Sequence, residues 1–160
     1  MNDIYRPDAA DRKLLDLLQT NARTTIEALA EAAGLSTSAT HRRLQRLRDQ
    51  RIILGDIAVL DPKRLGNPIT LLVELELERD RPELMPALQA WIAATPSVQQ
   101  AWQVTGRGDL VLVVVAGSVE EFDVLAERMM EVNRNIRKFT TSVALKTLKR
   151  GLRLPIPQTD

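Results

Sequence analysis

Thr37, Ser38, His41, Arg42, Gln45 and Arg46 fall at i, i+1, i+4, i+5, i+8 and i+9, so a helix through them gathers all six on one broad face. Hydroxyls, an imidazole, an amide and two guanidiniums are the groups that bond to phosphate oxygens and to the edges of bases. Thr40, Leu44 and Leu47, at i, i+4 and i+7, form the narrow stripe that would turn toward a core. Ser36 stands where a hydroxyl can cap this helix, because it accepts a bond from an otherwise unpaired amide of the first turn. From position 42 to 51 there are five arginines (Arg42, Arg43, Arg46, Arg48, Arg51) against one acid, Asp49. A charge run on a helix is commonly just a solvated face. A plain three-helix bundle, however, predicts mixed charge there, and this face is mostly Arg, Gln, Ser and His.

No comparable constellation points to catalysis. The one histidine, His41, lies on the basic helix, and Ser38 beside it is accounted for by groove contacts. There are no cysteines, which excludes disulfides, thiolate metal sites and a cysteine nucleophile. HExxH, P-loop and metal-spaced clusters are absent, and Gly106-x-Gly108 is too short for a dinucleotide fingerprint. No catalytic residue, metal or cofactor is therefore expected.

The elements that must position the basic helix lie on either side of it. Asp8 and Asp11 precede an apolar run with Leu14, Leu15 and Leu18, a helix start with acids at the positive end of the dipole. Thr24 and Glu27 read as a capping box for a second helix, whose inner face is Ile26, Leu29 and Ala30. Gly34 ends that helix by turning with positive φ, and Leu35 plugs the corner. Three short helices, the last two joined by a turn of about four residues, predict a helix-turn-helix. The third helix of that motif enters the major groove by its N-terminal half. The β-branched run at 52–60 reads as strand, the beginning of a small wing or a connecting arm. Pro62, Gly66 and Pro68 mark a linker. The expected domains are 1–60 for DNA binding, a linker at 61–68, and a second domain over 69–160.

In that second domain, residues 69–78 alternate Leu71, Val73, Leu75 and Leu77 with Glu74, Glu76 and Glu78, a strand with one dry face. A helix follows over about 82–94, starting near Pro86 or with an irregular first turn. Runs at 98–104 and 110–116 flank a glycine hairpin, Thr105-Gly-Arg-Gly-Asp109. Ser118 and Glu121 cap a helix with Phe122, Leu125, Met129 and Val132 inward, and 139–148 is the last strand. Strand, helix, strand, strand, helix, strand is the ferredoxin-like βαββαβ arrangement. The fold class is thus α+β, a winged helix-turn-helix followed by a ferredoxin-like domain. Residues 110–115 are apolar at both parities, which calls for cover on both sides of the sheet and predicts a second copy of the chain. Two copies would offer two basic helices to half-sites one helical turn apart, about 34 Å.

The whole chain has 160 residues, 44% of them apolar, and a formal net charge of +1. That balance argues against a wholesale polyanion binder and leaves the local basic helix as the feature of interest. The N-terminal stretch lacks the apolar core of a secretory signal, and the longest apolar run falls far short of the roughly 20 residues of a membrane helix. A soluble, cytoplasmic protein is expected.

This layout resembles the Lrp/AsnC, or feast/famine, family of bacterial and archaeal transcription regulators over nearly the whole chain. The residues carrying the likeness are D-R-K-L-L-D-L-L-Q-x-N-A-R at 11–23, L-A-E-A-A-G-L-S at 29–36, the Arg42-Arg43 pair with Leu47, and I-I-L-G at 52–55. Leu65-Gly66, Pro96-Ser-Val98 and V-T-G-R-G-D-L at 104–110 extend it into the second domain. The resemblance implies a sequence-specific regulator of transcription that binds double-stranded DNA. It also implies dimerisation through the sheet, assembly of dimers into tetramers or octamers, and a small-molecule effector, such as an amino acid, bound between dimers. The family's G-x-x-D hairpin matches Gly106, Arg107, Gly108 and Asp109, the effector-site candidates, with Thr141 on the last strand as a further one. The chain departs from the family at Arg134-Asn135, where many relatives have Pro-Gly. It departs again at Phe139, a commonly hydroxylated position, and at Leu110, where tyrosine often follows the matching aspartate. Two other functions share these features: a nucleoid-type architectural DNA-binding protein without a dedicated effector, and an amino-acid-sensing module, in which the basic helix has no role.

Overall fold

A computed structural model describes residues 5–78 and 82–156. The chain divides into two compact units between Val59 and Leu60, and the described residues from Lys149 to Ile156 group with the first. The first unit consists of α1 (Ala9–Thr20), α2 (Ile26–Ala33) and α3 (Thr37–Asp49). Leu14, Leu29, Leu44 and Leu47 form its core, with Leu15, Leu18, Ile26, Leu35 and Ile53 packed against them. Each helix starts on a side-chain oxygen: Asp8 takes the amide of Asp11, Thr25 that of Ala28, and Ser36 that of Ala39. The cap of α2 is therefore Thr25 and not Thr24. The Thr24 hydroxyl donates back to the Asn21 carbonyl, which leaves its neighbour to meet the helix amides. Gly34 closes α2 at φ +66°, and the Leu35 amide reaches the Ala30 carbonyl at 2.9 Å. The left-handed glycine and this bond together turn the chain sharply enough to aim α3 across α2.

The expected wing is corrected. Residues 52–60 form no strand, and Leu54, Ile57 and Val59 stand 88%, 73% and 81% exposed. A strand requires a neighbour for its amides and carbonyls, and no described segment pairs with this one. It is a connecting arm. Within the second unit, a 3-10 turn at Lys63–Leu65 ends on Gly66 at φ +81°, ahead of its first strand. At the other end of the chain, the Leu154 amide and carbonyl bond to the Gln19 side chain at 2.7 and 3.1 Å, and Arg153 pairs with Asp16 at 2.6 Å.

The second unit contains β1 (Ile69–Leu77), α4 (Met85–Ala94), β2 (Val98–Gln103), β3 (Leu110–Ala116), α5 (Val119–Val132) and β4 (Ile136–Val143). The strands pair antiparallel in the order β2-β3-β1-β4, the ferredoxin-like topology. Leu71, Val73 and Leu75 face the helices together with Leu110, Leu112 and Val114, and Leu88, Phe122, Ala126 and Met129 close over them. Pro86 falls in the first turn of α4, where its missing amide costs nothing. The inner stripe of α5 is Phe122, Ala126 and Met129; Leu125 is only partly buried and Val132 is exposed, being displaced by about 80° from the others. The last strand begins at Ile136 and stops at Val143, because β1 begins at Ile69 and offers no partner beyond the bond from Ala144 to Thr70.

The opposite face of the sheet carries Leu72, Val111, Val113, Val115 and Trp102, and Leu72 and Trp102 are nearly half exposed. It is apolar along its middle and has no cover within the described residues. No described helix is long and apolar enough to cross a membrane.

Candidate nucleic-acid interface

The outer face of α3 is held by its inner one. Thr40 is fully buried and its hydroxyl donates to the Ser36 carbonyl at 3.0 Å, while Leu44 and Leu47 pack on α1 and α2. Thr37, Ser38, His41, Arg42, Gln45 and Arg46 are all exposed. Ser38 shares a hydrogen bond with Ser36 at 3.2 Å, and Gln45 donates to Asp49 at 2.9 Å. No hydrogen-bond or ion-pair partner meets His41 or Arg42 among the described residues. The N-terminal half of α3 thus presents the Thr37 hydroxyl, an imidazole and a guanidinium that are not spent on the protein, at the end of a helix whose dipole favours anions.

Arg46 is placed differently. Its guanidinium donates to Asp11 Oδ2 at 2.8 Å and to the Tyr5 hydroxyl at 3.1 Å. Arg43 donates to Asp11 Oδ1 at 2.9 Å and to Asp8 Oδ2 at 2.6 Å. Tyr5 donates to Asp11 Oδ2 at 2.5 Å. Asp11 is only 1% exposed, so both of its oxygens are satisfied inside the protein by two cations and a phenol. Asp8 is held below the ordinary carboxylate value by the Asp11 amide and then by Arg43. Burial raises the Tyr5 hydroxyl, and its bond to Asp11 raises it further. This cluster is the feature missed by reading charge alone. Its signal was present, since Asp11 falls on the apolar stripe of α1 at i relative to Leu14, Leu15 and Leu18. A carboxylate at a stripe position needs a buried partner.

In the second unit, Gly106, Arg107, Gly108 and Asp109 form the link between β2 and β3. Gly106 sits at φ +139°, a conformation that favours glycine, and a Cβ on Gly108 would press on the Leu75 carbonyl oxygen at 3.3 Å. Asp109 is half-buried. Its amide donates to the Leu75 carbonyl at 2.8 Å and its carboxylate accepts the Leu77 amide at 2.8 Å, which ties the hairpin to the end of β1. Arg107 is exposed at the tip. Thr141, on β4, pairs in register with Val73 of β1, so β1 intervenes between it and β3. Two strand spacings, about 10 Å, therefore separate it from the hairpin strand within one chain. The Thr141 hydroxyl is buried with no partner in the protein. Shallow depressions of about 180 and 200 Å³ are lined elsewhere, by Ser97, Val115 and Arg128 and by Gln89, Trp102 and Gln103. No cluster of groups suited to a metal occurs among the described residues.

A family model described as the AsnC-type helix-turn-helix domain matches residues 8–48, and one described as the Lrp/AsnC ligand binding domain matches residues 70–154. An uncharacterized HTH-type transcriptional regulator of Sinorhizobium fredii is 37% identical, over 93% of this chain and 88% of its own. The DNA-binding transcriptional activator DecR of Escherichia coli is 31% identical, over 93% and 98%. Among solved structures, a feast or famine regulatory protein from M. tuberculosis complexed with L-methionine superposes with a TM-score of 0.83 at 28% identity, covering 94% of this chain and 99% of its own.

Proposed function

Because the chain belongs to the Lrp/AsnC family of transcriptional regulators, we propose that it reads specific DNA sites with the N-terminal half of α3 and is modulated by an amino acid or related small molecule bound between dimers. The observation that carries this is the outward set Thr37, Ser38, His41, Arg42 and Gln45 on a helix fixed from behind by Thr40, Leu44 and Leu47. A groove admits such a helix, and side chains of these types discriminate base edges once phosphate contacts have set the register. Arg46 belongs to the support of the helix in this reading, since its guanidinium is engaged by Asp11.

A second copy of the chain is the cover proposed for the open sheet face. Leu72, Val111, Val113, Val115 and Trp102 make a contiguous apolar surface, and such surfaces are sites of association. Dimers would pair two α3 helices, and dimers of dimers would bring Gly106, Arg107, Gly108 and Asp109 of one copy against another. The free backbone amides of a glycine turn suit an effector carboxylate, and Asp109 suits its ammonium. The complex of the M. tuberculosis relative with L-methionine supports an amino acid as the class of effector. Titration with amino acids in the absence of DNA tests the effector half of the proposal: saturable binding is expected, and none across the pool of amino acids would remove it. Footprinting tests the DNA half, because a few protected sites support a regulator and uniform coverage supports an architectural DNA-binding protein.

A further inference from the structure

The basic run of α3 is less available than its composition suggests. Of the five arginines between 42 and 51, Arg43 and Arg46 meet Asp8 and Asp11, and Arg48 meets Asp56 at 3.3 Å. Arg42 and Arg51 are the ones whose guanidiniums face no carboxylate among the described residues. Arg46 lies one helical turn beyond Arg42 on the same edge of the helix, with its side chain 46% exposed, so it is within reach of the surface that Arg42 serves. Asp11 holds it back with a carboxylate that is almost wholly desolvated, and the Tyr5 hydroxyl braces the pair on the same side. A guanidinium in two charge-assisted bonds to the protein has a fixed direction, and leaving them for a phosphate would strand a buried carboxylate.

We propose that Asp11 is a specificity-determining positioning residue: by engaging Arg43 and Arg46 it withholds them from the DNA backbone, so that the reading head depends on the side chains that discriminate bases. The inference rests on α3 being the DNA-reading helix. Phosphate contacts bind every sequence equally and dominate non-specific affinity, so removing two cations from that role raises the ratio of specific to non-specific binding. Asp11 is also the member of the cluster that touches both arginines and the phenol at once, so it, more than Asp8, fixes their direction.

The test is the salt dependence of binding to random duplex by the full chain, with folding monitored by circular dichroism. Asp11→Asn is expected to steepen the slope of log affinity against log salt by about 0.9 for each guanidinium released, and to bind random duplex more tightly at low salt. A folded Asp11→Asn with an unchanged or shallower slope overturns the proposal. Arg46→Gln decides independently of whether Asp11→Asn folds. The engaged guanidinium contributes nothing to the slope, so Arg46→Gln should match the unmodified chain. An Arg46→Gln slope shallower than that of the unmodified chain by about 0.9 overturns the proposal. An unmodified chain that binds no duplex at low salt removes the DNA-reading premise itself, a different failure from any of these.

Discussion

Arg42 and Asp109 carry opposite kinds of duty, and the difference is visible in what each side chain touches. Arg42 projects from α3 with no partner among the described residues, so its guanidinium is available to a ligand. Replacing it by alanine should weaken binding to a cognate site by about 1–3 kcal/mol if it makes a bidentate base contact. Equal loss on random duplex in the same titration would make it a phosphate contact. Asp109 already holds the Leu77 amide, so its carboxylate has a structural task whether or not an effector is present. Asp109→Ala should abolish the response of DNA binding to the effector while leaving DNA binding intact. A variant whose operator complex is still shifted by the same amino acid would contradict that role.

At the level of elements, α3 is held by apolar packing on one side and by the Asp8, Asp11 and Tyr5 cluster on another. Leu47 is fully buried in this unit, and Leu47→Ala should destabilise it by about 2–5 kcal/mol through the cavity left behind; an unchanged melting temperature would place the inner stripe elsewhere. The Asp8 carboxyl is depressed in the folded state, so its contribution is present above its ordinary value and lost as pH falls through the depressed one. Melting of the N-terminal unit should therefore weaken below about pH 4, and Asp8→Asn should flatten that dependence. Local signals made most elements legible. The spacing of Thr40, Leu44 and Leu47, the hydroxyl of Ser36 and the turn at Gly34 act within a few residues of one another, and the structure follows them. The cap at Thr25 and the end of the last strand were settled by competition, respectively between adjacent hydroxyls and by the length of β1. Residues 52–60 were misread as strand because β-branched composition says nothing about whether a partner strand exists. The engagement of Arg46 was illegible for a related reason: its partner is 35 residues away on another helix.

Over the whole molecule, the sheet of the second unit leaves Val113 on its uncovered face between Leu72 and Gln100. A single charge there would oppose its own copy across a symmetric interface while sparing the core on the helix side. Val113→Asp should shift the chain toward monomer in sedimentation and weaken binding to paired half-sites more than to single ones. A dimer of unaltered stability would locate the interface on another surface. The apolar parity of residues 110–115 made the need for cover legible, whereas what provides it is not written in the sequence of one strand. The effector candidates are spread in the same way: Thr141 and the hairpin strand are separated by β1 within a chain, so their spacing in the sequence gives no sign of whether one ligand meets both.

Whether α3 reads defined sequences is tested most directly by footprinting on genomic fragments selected by the full chain, with and without pooled amino acids. The expected result is a small set of protected, pseudo-palindromic sites with half-sites about one helical turn apart, altered by at least one amino acid and lost with Arg42→Ala. Uniform protection that ignores sequence and is indifferent to Arg42→Ala would contradict it.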